Sequence, residues 1–150
     1  MTDDELTELA KELFKIFARF EYALKEAGFH TGEGDASPHW RNFALSVDES
    51  LEEQAIPELA AAIGYIIEQP PHKQVVRNGV LDWELAAPQT DSRADLVLLY
   101  VRRVRNNLFH GGKFNGHWFD PDRSENLMKS SLVILNAALA ASDPVRQAYG

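Results

Sequence analysis

Arg105, Asn106 and His110 are the residues of this 150-residue chain whose types and spacing best suit chemistry. They lie in the run Arg105-Asn106-Asn107-Leu108-Phe109-His110, which Gly111-Gly112 follows. On a helix, Asn106 and His110 are four apart and share a face, Arg102 shares it with them, and Arg105 stands one step round. The two glycines loosen the helix end, so His110 can swing toward Arg105. A histidine can take or give a proton near neutral pH. A planar, permanently charged guanidinium matches phosphate geometry. An asparagine amide orients a neighbour by hydrogen bonds. One base and one phosphate clamp suffice to cleave RNA at its own 2′-hydroxyl, because the nucleophile is internal to the substrate and needs no metal. Arg105, His110 and Asn106 are therefore the candidate catalytic residues. Arg102, Lys113 and His117 are candidate substrate-binding residues that would contact phosphate, with a solvated helix face or loop as the plainer alternative for each. Cationic side chains also stabilise a helix C-terminus. That accounts for Arg105 or His110 singly, but not for Arg, Asn and His together in this order.

The elements that must carry these residues read as helices. Thr2 and Glu5 form a capping-box pair, and Leu6, Leu9, Leu13, Phe17, Phe20 and Leu24 recur on one helical stripe that Gly28 ends. Glu21 and Lys25 fall on the opposite, solvated side. Residues 30–37 read as a loop, and Ser37-Pro38 as the cap and first position of a short helix through Trp40, Phe43 and Ala44. Pro57 opens a helix to Glu68, which Pro70-Pro71 stops. Residues 73–85 break the helical period. Asn78-Gly79 between Val75-Val76 and Val80-Leu81 suits a small hairpin, or an ordered loop. Asp91 or Ser92 caps the next long helix, whose stripe is Val97, Val101, Val104 and Leu108. A loop follows Gly111-Gly112. The last helix begins near Pro121 or Arg123, buries Met128, Leu132, Leu135 and Leu139, and stops at Pro144. The expected fold is all-α: one domain spanning 1–150, an antiparallel helical bundle of four to five helices with a possible small β-hairpin or loop insertion near 73–85.

The formal net charge of −8 argues against broad, non-specific duplex binding. The charge is uneven. Between Val101 and His117 stand Arg102, Arg103, Arg105 and Lys113 with no acid, a basic island on an acidic body that suits a local anion site. The absence of cysteine excludes disulfides, thiolate zinc sites and cysteine nucleophiles. His30, His39 and His72 are scattered in loops without metal-ligand spacing. Ser130-Ser131 lack a paired base. No glycine-rich phosphate loop is present, and neither a cofactor nor a metal is expected. Trp118 and Phe119 are expected to pack a loop onto the bundle rather than stack a base, and Trp40 and Trp83 likewise. The acidic start and the lack of any long apolar run lead to the expectation of a cytoplasmic protein with no membrane partner.

Arg105, then Asn106, then His110 followed by Gly111 resembles the Arg-x(4–6)-His signature of the HEPN superfamily. The surroundings are similar too: a long amphipathic first helix, the motif late in a helix of the second half, and a final packed helix. The resemblance covers most of the chain as architecture and about ten residues as motif. It implies a homodimer in which two copies of the motif face one cleft. It also implies a metal-independent endoribonuclease acting on an RNA substrate and leaving a cyclic phosphate, in toxin or anti-phage defence, with an antitoxin or regulatory protein as a possible partner. His110 would move protons, Arg105 would steady the scissile phosphate, and Asn106 would orient one of them. Some bacterial members carry a tyrosine two residues after the histidine, where a partner enzyme modifies it; Gly112 stands there in this chain, so that control is not implied. The acidic body leaves two alternatives: a non-catalytic HEPN module that binds RNA, a nucleotide or a protein partner, and a plain helical interaction protein that binds through its acidic surface.

Overall fold

A computed structural model of the chain describes residues 1–52, 56–110, 113–114, 117–118 and 120–150, and for His110, Lys113, Phe114, His117 and Trp118 the backbone alone. Helix α1 (Asp3–Glu26) begins with the expected capping box. The Thr2 hydroxyl accepts from the Glu5 amide, and the Glu5 carboxylate accepts from the Thr2 amide, both at 3.1 Å. Two of the donors that every helix start leaves unpaired are thereby satisfied. The helix ends in a Schellman turn: the Phe29 amide donates to Leu24 O and the Gly28 amide to Lys25 O. The turn needs a left-handed residue, and Gly28 supplies it at φ +96°.

Helix α2 (Trp40–Ser46) starts later than Ser37-Pro38 suggests, and His39 is its cap, accepting from the Asn42 amide at 3.2 Å. The reason is tertiary. Thr31 N donates to Ser37 O, His39 N donates to Phe29 O, and His30 and Pro38 form an antiparallel bridge. Residues 37–39 are thus held extended against the end of α1, and the chain can coil only beyond them. Two short elements follow the plan of the longer ones: α3 (Asp48–Glu52), and α4 (Pro57–Glu68) with proline in its first turn as expected.

The 73–85 segment is a hairpin, β1 (Lys73–Arg77) paired antiparallel with β2 (Val80–Glu84). Arg77 pairs with Val80, leaving Asn78 at φ 51° and Gly79 at φ 76° as a two-residue turn. Both signs match the type I′ geometry that Asn-Gly favours. The register puts Gln74, Val76, Leu81 and Trp83 on one face. Lys73, Val75, Arg77, Val80, Asp82 and Glu84 share the other, where Arg77 pairs with Asp82 and Glu84.

Helix α5 (Arg93–His110) is capped by Ser92, whose hydroxyl accepts from the Asp95 amide at 3.1 Å. Asp48 reaches over from α3 to accept from Ser92 Oγ and the Ala94 amide. Val97, Val101 and Val104 are buried as the stripe requires, with Leu108 partly so. Beyond it lies a second two-stranded pair, β3 (Lys113–Phe114) with β4 (His117–Trp118), where a loop is expected from sequence. Asn115-Gly116, the residues between the two strands in sequence, have the composition of a tight turn.

Helix α6 (Pro121–Ala140) packs against both α1 and α4. Two partners require a wider face than one stripe, so Leu127, Ser131, Ile134 and Ala138 are buried with Met128 and Leu135, while Leu132 and Leu139 are only partly covered. Buried Ser131 satisfies its hydroxyl on Leu127 O at 2.7 Å. Pro144 does not end a helix but lies in the first turn of α7 (Asp143–Tyr149), which returns to α1. The described residues therefore form an all-α bundle of seven helices rather than four to five, with the hairpin as insertion. None of its helices is long and apolar enough to cross a membrane.

The core centres on aromatic rings. Trp40 stacks on Phe20 with centroids 5.4 Å apart, and Phe43 meets Phe20 and Phe29 edge-on at 5.5 Å. Truncating fully buried Phe20 removes several of these contacts at once. Phe20→Ala is expected to cost about 3–5 kcal/mol, read from the urea midpoint of unfolding. Gly79→Ala, strained at positive φ but confined to the hairpin turn, is expected to cost about 1 kcal/mol in the same measurement.

Candidate functional site

The last turns of α5 place their polar residues over a groove of about 600 Å³. Arg102, Arg103, Arg105, Asn106 and Asn107 form its α5 wall. Glu21 of α1, Trp40 of α2, and Lys73 and Gln74 of β1 close it. Asn106 is exposed. Arg105 reaches toward α1 at the groove's edge: its guanidinium carbon lies 4.7 Å from the Phe17 ring centroid, and its Nη2 lies 3.9 Å from Glu21 Oε1. Its Nε is buried and has no hydrogen-bond partner among the described residues. At 3.9 Å the Glu21 pair is a Coulombic contact rather than a hydrogen bond. The Arg105 guanidinium is thus held by an aromatic face and a distant carboxylate.

Arg102 lies over the Trp40 ring, 5.5 Å from its centroid, and its Nε reaches Leu98 O at 3.4 Å. Burial pushes its guanidinium below the ordinary arginine value. Asp95 and Glu21 oppose that shift, and neighbouring Arg105 adds to it. An arginine so placed stays charged, and an incoming anion relieves both burial and repulsion. Arg103 is engaged elsewhere: it donates to Ala86 O and lies over the Tyr100 ring. Asn107 donates from Nδ2 to His72 O at 2.7 Å, which ties the base of the hairpin to α5.

Of the residues singled out from sequence, Arg102, Arg105 and Asn106 line one groove. His110 is the last residue of α5, four positions beyond Asn106, and Lys113 and His117 belong to β3 and β4. The side chains of these three lie outside the described residues. Three groove residues are not legible in the sequence pattern. Glu21 is not on the solvated side of α1 but faces α5, and it accepts from the Trp40 indole N–H at 2.8 Å. The available signal is its place four residues after buried Phe17, at the margin of the stripe. Trp40 belongs to the core yet forms one wall of the groove, and Lys73 comes from the hairpin.

The groove therefore concentrates Arg102, Arg103, Arg105 and Lys73 against one carboxylate, Glu21, on a chain of net charge −8. Such a site is suited to an anion with several oxygens. No family model, curated protein or solved structure matches the chain.

Glu21→Ala would leave the buried Trp40 N–H without its acceptor, at an expected cost of about 1–3 kcal/mol in chemical unfolding. Glu21→Gln keeps a side-chain oxygen for that N–H while deleting the charge. It is expected to cost less than half as much in the same measurement.

Proposed function

We propose that this chain is a metal-independent endoribonuclease of the HEPN type, active as a homodimer, with the α5 groove as its phosphate site. The observation that supports this reading is that Arg102, Arg105 and Asn106 line a single groove on the helix that ends at His110. The three arginines of the basic island thus lie along one concavity.

In the proposed reaction the 2′-oxygen of one nucleotide attacks the adjacent phosphorus. The P–O2′ bond forms as the P–O5′ bond breaks, which leaves a 2′,3′-cyclic phosphate and a free 5′-hydroxyl. One proton leaves the 2′-hydroxyl and one arrives at the departing 5′-oxygen. His110, in both copies of the motif around a shared cleft, serves these transfers. Arg105, already desolvated against Phe17, stabilises the charge that builds on the phosphoryl oxygens. Asn106 orients the phosphate or the histidine. Arg102 extends the hold to the strand backbone. A role in toxin or anti-phage systems, with a protein that restrains the activity, belongs to the same proposal.

Glu21 favours a second reading. Its carboxylate offsets the charge of Arg105, which weakens stabilisation of the more highly charged transition state more than it weakens ground-state binding, and an RNA-binding HEPN module needs only the latter. One assay separates the two. Purified protein is incubated with single-stranded and structured RNA in the presence of chelator, wild type beside His110→Ala. The wild type is expected to yield fragments ending in cyclic phosphate, and His110→Ala to lower the rate by about 10²–10⁴-fold. Arg105→Lys, which loses the planar fork, is expected to lower it as well. Retained binding with no cleavage by the wild type would leave the binding module standing.

A further inference from the structure

Beside the groove, on the other side of Asn107, is a second, half-open cavity of about 230 Å³. Val104, Leu108 and Met128 give it an apolar lining. Trp83 of β2 forms part of its wall while keeping 38% of its surface exposed. The two concavities share Asn107, and the chain between them is continuous: Pro71 and His72 line the cavity, Lys73 and Gln74 the groove. A strand whose backbone lies along the arginines would therefore have its next group at the mouth of the cavity.

We infer that this cavity receives one unpaired nucleobase of the strand whose phosphates lie in the groove, with Trp83 as its stacking platform; the inference rests on the phosphate-groove reading above. Size, lining and charge each point this way. An apolar cavity of about 150 Å³ holds benzene, so the volume here suits one heterocyclic ring system and not a whole nucleotide. Every base presents a π-face, and an exposed indole beside an apolar floor is the kind of surface on which single-stranded bases stack. The charges at the rim balance, unlike those of the groove. Asp120 contributes a carboxylate. Arg123, the cation on the wall, is committed to Gln69 Oε1 and Pro70 O. An anion therefore gains more at Arg102 and Arg105 than in this cavity, while a neutral ring needs no charge to enter it. With its Nδ2 given to His72 O, Asn107 separates the two compartments as a fixed partition. The protein would then prefer single strands, because a paired base must first unpair and unstack at a cost of a few kcal/mol.

The test uses two probes of equal length and equal phosphate count, both lacking the 2′-hydroxyl and so resistant to cleavage. One is a short oligodeoxynucleotide and the other an oligomer of tetrahydrofuran phosphates with no bases. Binding is read by fluorescence anisotropy on the full chain. Wild type is expected to bind the base-bearing probe more tightly. Trp83→Ala should weaken that probe about tenfold and leave the abasic one unchanged. Trp83→Phe, which keeps an aromatic face, should restore most of the affinity, a recovery that a general folding defect would not give. Equal weakening of both probes by Trp83→Ala, or no weakening of either, overturns the inference. Arg102→Gln tests the groove separately, since it should weaken both probes alike. If it weakens both while Trp83→Ala is without selective effect, the cavity inference falls alone. If Arg102→Gln weakens neither while Trp83→Ala remains selective, the cavity takes a base and the phosphate-groove reading fails instead.

Discussion

Glu21 makes two contacts that determine how the groove is built. Its carboxylate accepts the Trp40 indole N–H and sets the charge opposite Arg105. The first contact lets a tryptophan enter the core without leaving its polar atom unpaired, a defect that would cost about 1–3 kcal/mol, more than the bond itself nets. Trp40, once seated on Phe20 and Phe17, supplies the flat surface on which Arg102 rests. The second contact keeps a half-buried guanidinium partly compensated. Arg102 therefore depends on the Trp40 ring of α2, and Arg105 on the Phe17 ring and the Glu21 carboxylate of α1.

The electrostatics of the molecule are divided accordingly. Most of the surface is acidic, so long-range attraction to polyanions is weak. Within the groove the balance is reversed, and the low-dielectric rings of Trp40 in its wall and of Phe17 behind Arg105 strengthen the charges they face. A site of this kind discriminates by fit at short range and not by capture at a distance. Under the proposed function, this would restrict binding to strands that can enter the groove.

Local chemistry made much of the fold legible in the sequence. The Thr2-Glu5 capping box, the Pro57 helix start and the Asn78-Gly79 hairpin turn each depend on residues within a few positions of one another. What was hidden depends on distant partners. Short α3 supplies Asp48, whose bonds to Ser92 and Ala94 span 44 and 46 residues. Helix α7 is held by buried Val145 and by Arg19, which donates to Tyr149 O from 130 residues away. The same division holds at the site. Arg102, Arg105 and Asn106 share a helix and are found by counting turns. Glu21, Trp40 and Lys73 reach them only through packing, and charge patterning had assigned Glu21 to solvent.

The two ends of α5 are fastened very differently. At the start, Ser92 and Asp48 cap the backbone, buried Asp95 is paired with Arg41 at 2.7 Å, and Ala94, Val97, Leu98 and Val101 are fully covered. Toward the end, Asn106 and Phe109 are exposed, and a single Asn107 side chain anchors the hairpin base. Stability in such a helix is graded along its length. Amides near Val97 lie under the most cover and are expected to exchange only when much of the bundle opens, whereas those of Asn106 and Phe109 lie under less. The described part of the motif, Arg105 to Phe109, thus lies at the less deeply covered end of the helix, apart from the side chains that fill the core.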